Sequence, residues 1–142
     1  MTDDPYDLRR FVEAQDQGGT YRNAVTELQA GRKASHCMWF VFPQIEGLGN
    51  SPTSRRYAIT GLDEARAYLA DPVLGPRLLE VTGIVAAAGT ASAEAIFGAI
   101  DAQKLRSSMT LFLRAASQEP LFQRVLDRYF GGTPDARTDQ LI

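Results

Sequence analysis

Asp101, Lys104 and Ser108 stand at i, i+3 and i+7, a spacing that places three polar side chains along one face of a helix. Lys104 is one of two lysines among 15 basic residues, so it stands out in an arginine-rich chain. An ammonium beside a carboxylate and a hydroxyl can receive a phosphate or a carboxylate; the plainer alternative is an ordinary Asp–Lys pair worth a few tenths of a kcal/mol. Lys33 and His36 offer a second set. The sole histidine has an unperturbed pKa of about 6.5 and suits acid or base work, or else simply makes a structural hydrogen bond. Gln44 and Arg56 flank a glycine-rich stretch, where an amide and a guanidinium can donate to an anion. Together Lys33, His36, Gln44, Arg56, Asp101, Lys104 and Ser108 form the candidate lining of a site for a small polar ligand, a nucleotide-like anion. An aromatic segment next to a few converging polar groups is the usual make-up of a ligand pocket.

Other chemistries lack their residues. There is no phosphate-cradling glycine loop ending in Gly-Lys-Ser/Thr, no Gly-x-Ser-x-Gly turn and no His-Glu-x-x-His. One cysteine and one histidine make neither an internal disulfide nor a zinc set. No cofactor or metal is therefore expected, and whether the protein is an enzyme stays open. Cys37 reads as an inert core thiol. Trp39 and Phe40 either stack on a planar ligand or belong to the core.

The elements that must position these residues carry the helical period almost throughout. Leu8, Phe11 and Val12 mark a first helix ended by Gly18-Gly19, and Tyr21, Ala24, Val25 and Leu28 mark a second, with Thr20 as its N-cap. Ser35 to Pro43 is apolar nearly all round and reads as a central buried helix closed by Pro43. Residues 44–56 read as a long surface loop. Asp63 is the expected N-cap of the next helix, Asp71-Pro72 opens another that Gly89 stops, and Ser92 caps a segment leading through Ile96-Phe97-Gly98 into the longest helix, Ile100 to Ala116. Glu119-Pro120 starts a helix ended by Gly131-Gly132, and the last ten residues read as a short polar tail. The expected fold is all-α: an irregular bundle of six or seven helices in a single domain, residues 1–142, around a buried aromatic segment.

Four segments go beyond periodicity: Lys33-Ala34-Ser35-His36-Cys37-Met38-Trp39-Phe40-Val41-Phe42-Pro43-Gln44; Arg56-Tyr57-Ala58-Ile59; Glu64-Ala65-Arg66-Ala67-Tyr68-Leu69; and Ile96-Phe97-Gly98 with Lys104 and Ser107-Ser108-Met109-Thr110-Leu111-Phe112. With Phe130-Gly131-Gly132, Asp135 and Thr138, they resemble a bacterial and fungal family named only as domain of unknown function 1810, from about residue 7 to 141. The resemblance implies a mostly helical domain and brings no activity with it. Cys37 stands where the family is expected to carry a second aromatic.

Length and charge bound the rest. A chain of 142 residues with 44% apolar content can build a core without disulfides. Its longest apolar run, Cys37 to Pro43, falls far short of the ~20 residues that span a membrane. The acidic start, Met1-Thr2-Asp3-Asp4, is no secretory signal, which predicts a cytoplasmic protein. A net charge of −2 gives no global field for nucleic acid. The competing functional reading is a protein–protein interaction module, which requires an exposed apolar patch of more than a few hundred Å².

Overall fold

Apolar residues at helical spacing build the molecule. In the computed structural model, which describes residues 4–32, 38–88 and 92–142, the chain forms α1 (Arg9–Asp16), a 3-10 turn (Gln17–Gly19) and α2 (Thr20–Gln29). Next come α3 (Met38–Val41), α4 (Pro52–Arg56), α5 (Leu62–Ala70) and α6 (Leu74–Ala87). The rest is α7 (Ala93–Phe97), α8 (Ala99–Ala115), α9 (Pro120–Tyr129) and α10 (Ala136–Leu141). The all-α class is as expected. The number of helices exceeds six or seven because three short ones, α3, α4 and α7, stand between the longer elements.

α8 is the centre. Ala102, Leu105, Met109 and Phe112 form its inner stripe, yet every residue from Ser107 to Leu113 is buried, because α5, α7, α9 and α10 pack around it. α6 contributes Leu74, Leu78, Val81 and Val85 to the same core, and α9 contributes Phe122, Val125 and Leu126. Aromatic rings run through it as a chain: Phe11 meets Tyr68 edge-on at 5.2 Å, Tyr68 lies 5.4 Å from Phe112, and Phe112 lies 5.9 Å from Phe122.

Two local features depart from the expected layout. The segment that Ser92 caps is itself a short helix: the chain breaks at Gly98, whose φ of 80° only glycine adopts readily, so α7 and α8 are separate helices meeting at that joint. The polar tail ends in a helix instead: Asp135 caps α10 by accepting from the Thr138 amide at 3.0 Å, and Leu141 packs back onto Gly47. Smaller corrections concern caps. Gly61 rather than Asp63 precedes α5, and Gly19 rather than Thr20 precedes α2. Ser92 caps α7 and Glu119 caps α9 as expected, while Gly89 lies outside the described residues.

The stretch from 44 to 56 is more ordered than a surface loop. Ile45 and Ile59 are buried and form one parallel bridge: the Ile59 amide donates to the Gln44 carbonyl at 2.9 Å, and the Glu46 amide to the Ile59 carbonyl at 2.8 Å. α4 occupies its second half, with Ser51 as N-cap and Pro52 at its first turn. Among the described residues there is no strand beyond that bridge, and no helix is long and apolar enough to cross a membrane.

At the molecule's C-terminal end an exposed ion pair is open to direct measurement. Arg114 donates to both oxygens of Asp139, at 2.9 and 3.0 Å. Those hydrogen bonds hold the Asp139 carboxyl below its ordinary 3.8, against a smaller opposing effect of burial. A carboxylate lowered in the folded state stabilises above its unfolded value, and that contribution fades as pH falls through the lowered folded value. In an Arg114→Gln variant, carboxyl-carbon NMR should find Asp139 titrating back near 3.8.

Candidate functional site

α8 and the segment after α3 diverge to leave a cleft of about 450 Å³, within the usual range for small-molecule sites. Trp39, Gln44 and Leu48 line one side, and Ala99, Ile100, Gln103, Lys104 and Ser107 of α8 line the other, while Asp135 and Arg137 enter from α10.

Trp39 is held from several directions. The neighbouring Phe40 carbonyl accepts from Gln15 Nε2 at 2.6 Å; Gln15 also donates to the Tyr68 hydroxyl and accepts from Arg77, which pairs with Asp16 at 2.8 Å. The Phe40 ring packs edge-on against Tyr57 at 5.2 Å. Gly49 lets the loop pass over the indole: a Cβ there would lie 3.0 Å from Trp39 Cη2 and 2.7 Å from Ser54. Trp39 is therefore half-buried at the cleft, while Met38, Val41 and Phe42 of the same run go into the core.

Lys104 lies over this indole with its Nζ 4.5 Å from the ring centroid, and it pairs with Asp101 at 3.4 Å. Beside them Gln44 is only 4% exposed, and its Nε2 has no hydrogen-bond partner among the described residues. A buried amide left so is uncommon and costs on the order of 1–3 kcal/mol. At the other end Asp135 is saturated: Oδ1 accepts from Gln103 Nε2 at 3.0 Å, and Oδ2 accepts from the Thr138 hydroxyl at 2.6 Å, the Thr138 amide and the Ser107 hydroxyl. Its own amide donates to Thr110 Oγ1 at 2.8 Å. Asp135 thus fixes α10 against α8 and sets the position of Arg137 at the cleft.

Of the candidate residues, Gln44 and Lys104 line the cleft together, and Asp101 adjoins it through Lys104. Ser108 does not face it. Its side chain is fully buried, with a hydroxyl that has no partner among the described residues, because at that level α8 is enclosed on all sides; the neighbouring Ser107 reaches the cleft instead. Arg56 lies elsewhere too, exposed at the end of α4 with its guanidinium 5.6 Å from the Tyr57 ring. Lys33, His36 and Cys37 are outside the described residues. Gln103, Ser107, Asp135 and Arg137 were missed in the sequence, although Asp135-x-x-Thr138 carries the spacing of an N-cap.

The family model described as "Protein of unknown function (DUF1810)" matches residues 5–142. The chain is similar to the conserved hypothetical protein Rv1873 from Mycobacterium tuberculosis, known from a crystal structure at 1.38 Å: 53% identity, 98% of each chain covered and a TM-score of 0.94. Among curated proteins none matches the chain.

Proposed function

Since the chain belongs to the DUF1810 family, whose description states no activity, we propose from its own cleft that it binds a small polar ligand, a flat ring bearing an anionic group in the manner of a nucleotide. The observation that carries this reading is Gln44: a buried amide donor without a partner, on the wall of a cleft whose other groups are an indole and a lysine. An acceptor on the ligand satisfies Gln44, the ring packs between Trp39 and Ile100, and Lys104 exchanges Asp101 for the ligand's charge. Ile100 is 76% exposed at the cleft, and a stacked ring gives that side chain a reason to stand in solvent. Ser107 is the one cleft hydroxyl described beside a carboxylate, and it also donates to the Gln103 carbonyl while Asp135 is engaged by Gln103 and Thr138, so binding rather than catalysis is the function proposed. Lys33 and His36, close in sequence to Trp39, complete the candidate set.

A thermal-shift screen against nucleosides, nucleotides, dinucleotides, ADP-ribose and phosphorylated metabolites tests the reading. A ligand at a hundredfold its Kd adds about 2.7 kcal/mol, or roughly 5–10 °C for a domain of this size. Lys104→Ala and Gln44→Ala should each remove most of that shift. A flat response across the panel would overturn the reading and favour the interaction module, with Ile100 as the first residue to test at a protein interface.

A further inference from the structure

Resting on the reading above, we infer that the ligand's anionic group is a phosphate seated on the N-terminus of α8, where the Ala99 and Ile100 amides meet Gln44 and Lys104. Helix N-termini attract anions because their first amide N–H groups lack intrahelical partners and the peptide dipoles add. α8, with 17 residues, is the longest helix described. Its N-cap is Gly98, which has no side chain with which to cap, and the first intrahelical bond is Ala102 N–H to the Gly98 carbonyl at 2.9 Å. Ala99 and Ile100, the two residues after that cap, line the cleft.

A bare helix end would not by itself mark a site. The independent observation is Gln44, 96% buried on the facing wall with its Nε2 unpartnered, so a second donor serves the same space. Lys104, just over one turn further along α8, supplies a charge. The fixed charges around the space, Lys104 and Arg137 against Asp101 and Asp135, sum to zero. Selection for an anion therefore rests on which groups are engaged: the Asp135 oxygens are occupied by Gln103, Ser107 and Thr138, while among the described residues no hydrogen bond engages the Ala99 and Ile100 amides or Gln44 Nε2. A phosphate, with several acceptor oxygens, matches this donor set better than a single carbonyl does.

The experiment is an amide-resolved NMR titration of the whole chain with inorganic phosphate, at constant ionic strength set by sodium chloride. Saturable shifts are expected at the backbone amides of Ala99 and Ile100 and at the Gln44 side-chain amide. Two variants make the test specific. Ala99→Pro removes one donor at the helix position that proline tolerates best. Ile100→Glu adds a first-turn carboxylate at an exposed position, which helices favour. Each should weaken phosphate at least tenfold while the melting temperature stays within about 2 °C of the parent. Phosphate shifts that scatter over the surface, or that survive Ile100→Glu unchanged, would overturn the inference. A parallel titration with adenosine separates the two readings. If adenosine perturbs Trp39 and Gln44 while phosphate does not perturb Ala99, the phosphate seat is wrong and the small-molecule cleft stands. Silence from both compounds would remove both.

Discussion

Replacing Gly75 with alanine should destabilise the protein by about 3 kcal/mol, at the upper end of what overpacking costs. This inverts the ordinary rule. In a helix interior, glycine to alanine normally stabilises by up to about 1 kcal/mol, because alanine has less backbone freedom to lose. At position 75 the added Cβ would lie 2.1 Å from the Leu69 carbonyl oxygen and 2.9 Å from its carbon. Both are backbone atoms near the end of α5, so no side-chain rotation relieves the clash. The short connection through Asp71 leaves little room to move, since its Oδ1 accepts from the Val73 and Leu74 amides at 2.9 and 3.0 Å. α5 and α6 must separate, and both bury core residues, among them Tyr68, Leu74 and Leu78. Urea unfolding of the variant measures the effect, and Gly83→Ala supplies the control. Gly83 lies in α6 with nothing within 4 Å of an added Cβ, so that variant should be neutral or stabilised.

Glu64→Ala should cost about 3–5 kcal/mol, the range for removing one partner of a buried ion pair. The Glu64 side chain is 2% exposed and pairs with Arg10 at 2.9 Å. Its other oxygen accepts from the Thr60 amide and hydroxyl at 3.0 and 2.9 Å, which fixes the entry to α5. Arg10 spreads further, donating to the carbonyls of Arg56, Ala58, Tyr6 and Asp7, so one guanidinium ties α1 to the segment joining α4 and α5. Without Glu64 that charge stays largely buried and uncompensated. The double variant Arg10→Met/Glu64→Ala should recover part of the loss, because it removes the stranded charge. A double-mutant cycle by chemical denaturation reads the coupling, and strict additivity would show that the pair does not act as a unit.

What the sequence revealed followed periodicity. Stripes such as Leu8/Phe11 at the start of α1 and Phe122/Val125/Leu126 in α9 are set by local spacing, and those helices stand where the pattern puts them. The joint at Gly98 was less legible: glycine inside a helical pattern is tolerated, and only the φ of 80° distinguishes a break from a weak spot. α10 was missed because six residues carry too little apolar repeat to register, and its stability comes from a cap and from docking instead. The candidate site divides in the same way. Gln44 and Lys104 are recognisable by residue type, yet the choice of Ser107 over Ser108 depends on how deeply α8 is enclosed, which belongs to tertiary packing. Arg56 was grouped with Gln44 on closeness in sequence, and the Ile45–Ile59 bridge turns Gln44 inward while α4 leaves Arg56 in solvent.

Asp135 gives the cleft two walls of unequal permanence. The part of α8 from Ser107 to Leu113 is enclosed by its neighbours, so its amides should exchange with solvent only when the protein opens widely. α10 is too short to hold as an isolated helix and depends on one carboxylate and a few side chains for its place. Hydrogen exchange should therefore find α10 opening at lower free energy than the core of α8, with the boundary between the two running along the cleft. A ligand that touched both Lys104 and Arg137 would tie α10 to α8, so it should suppress the local opening of α10 as well as raise the stability of the whole.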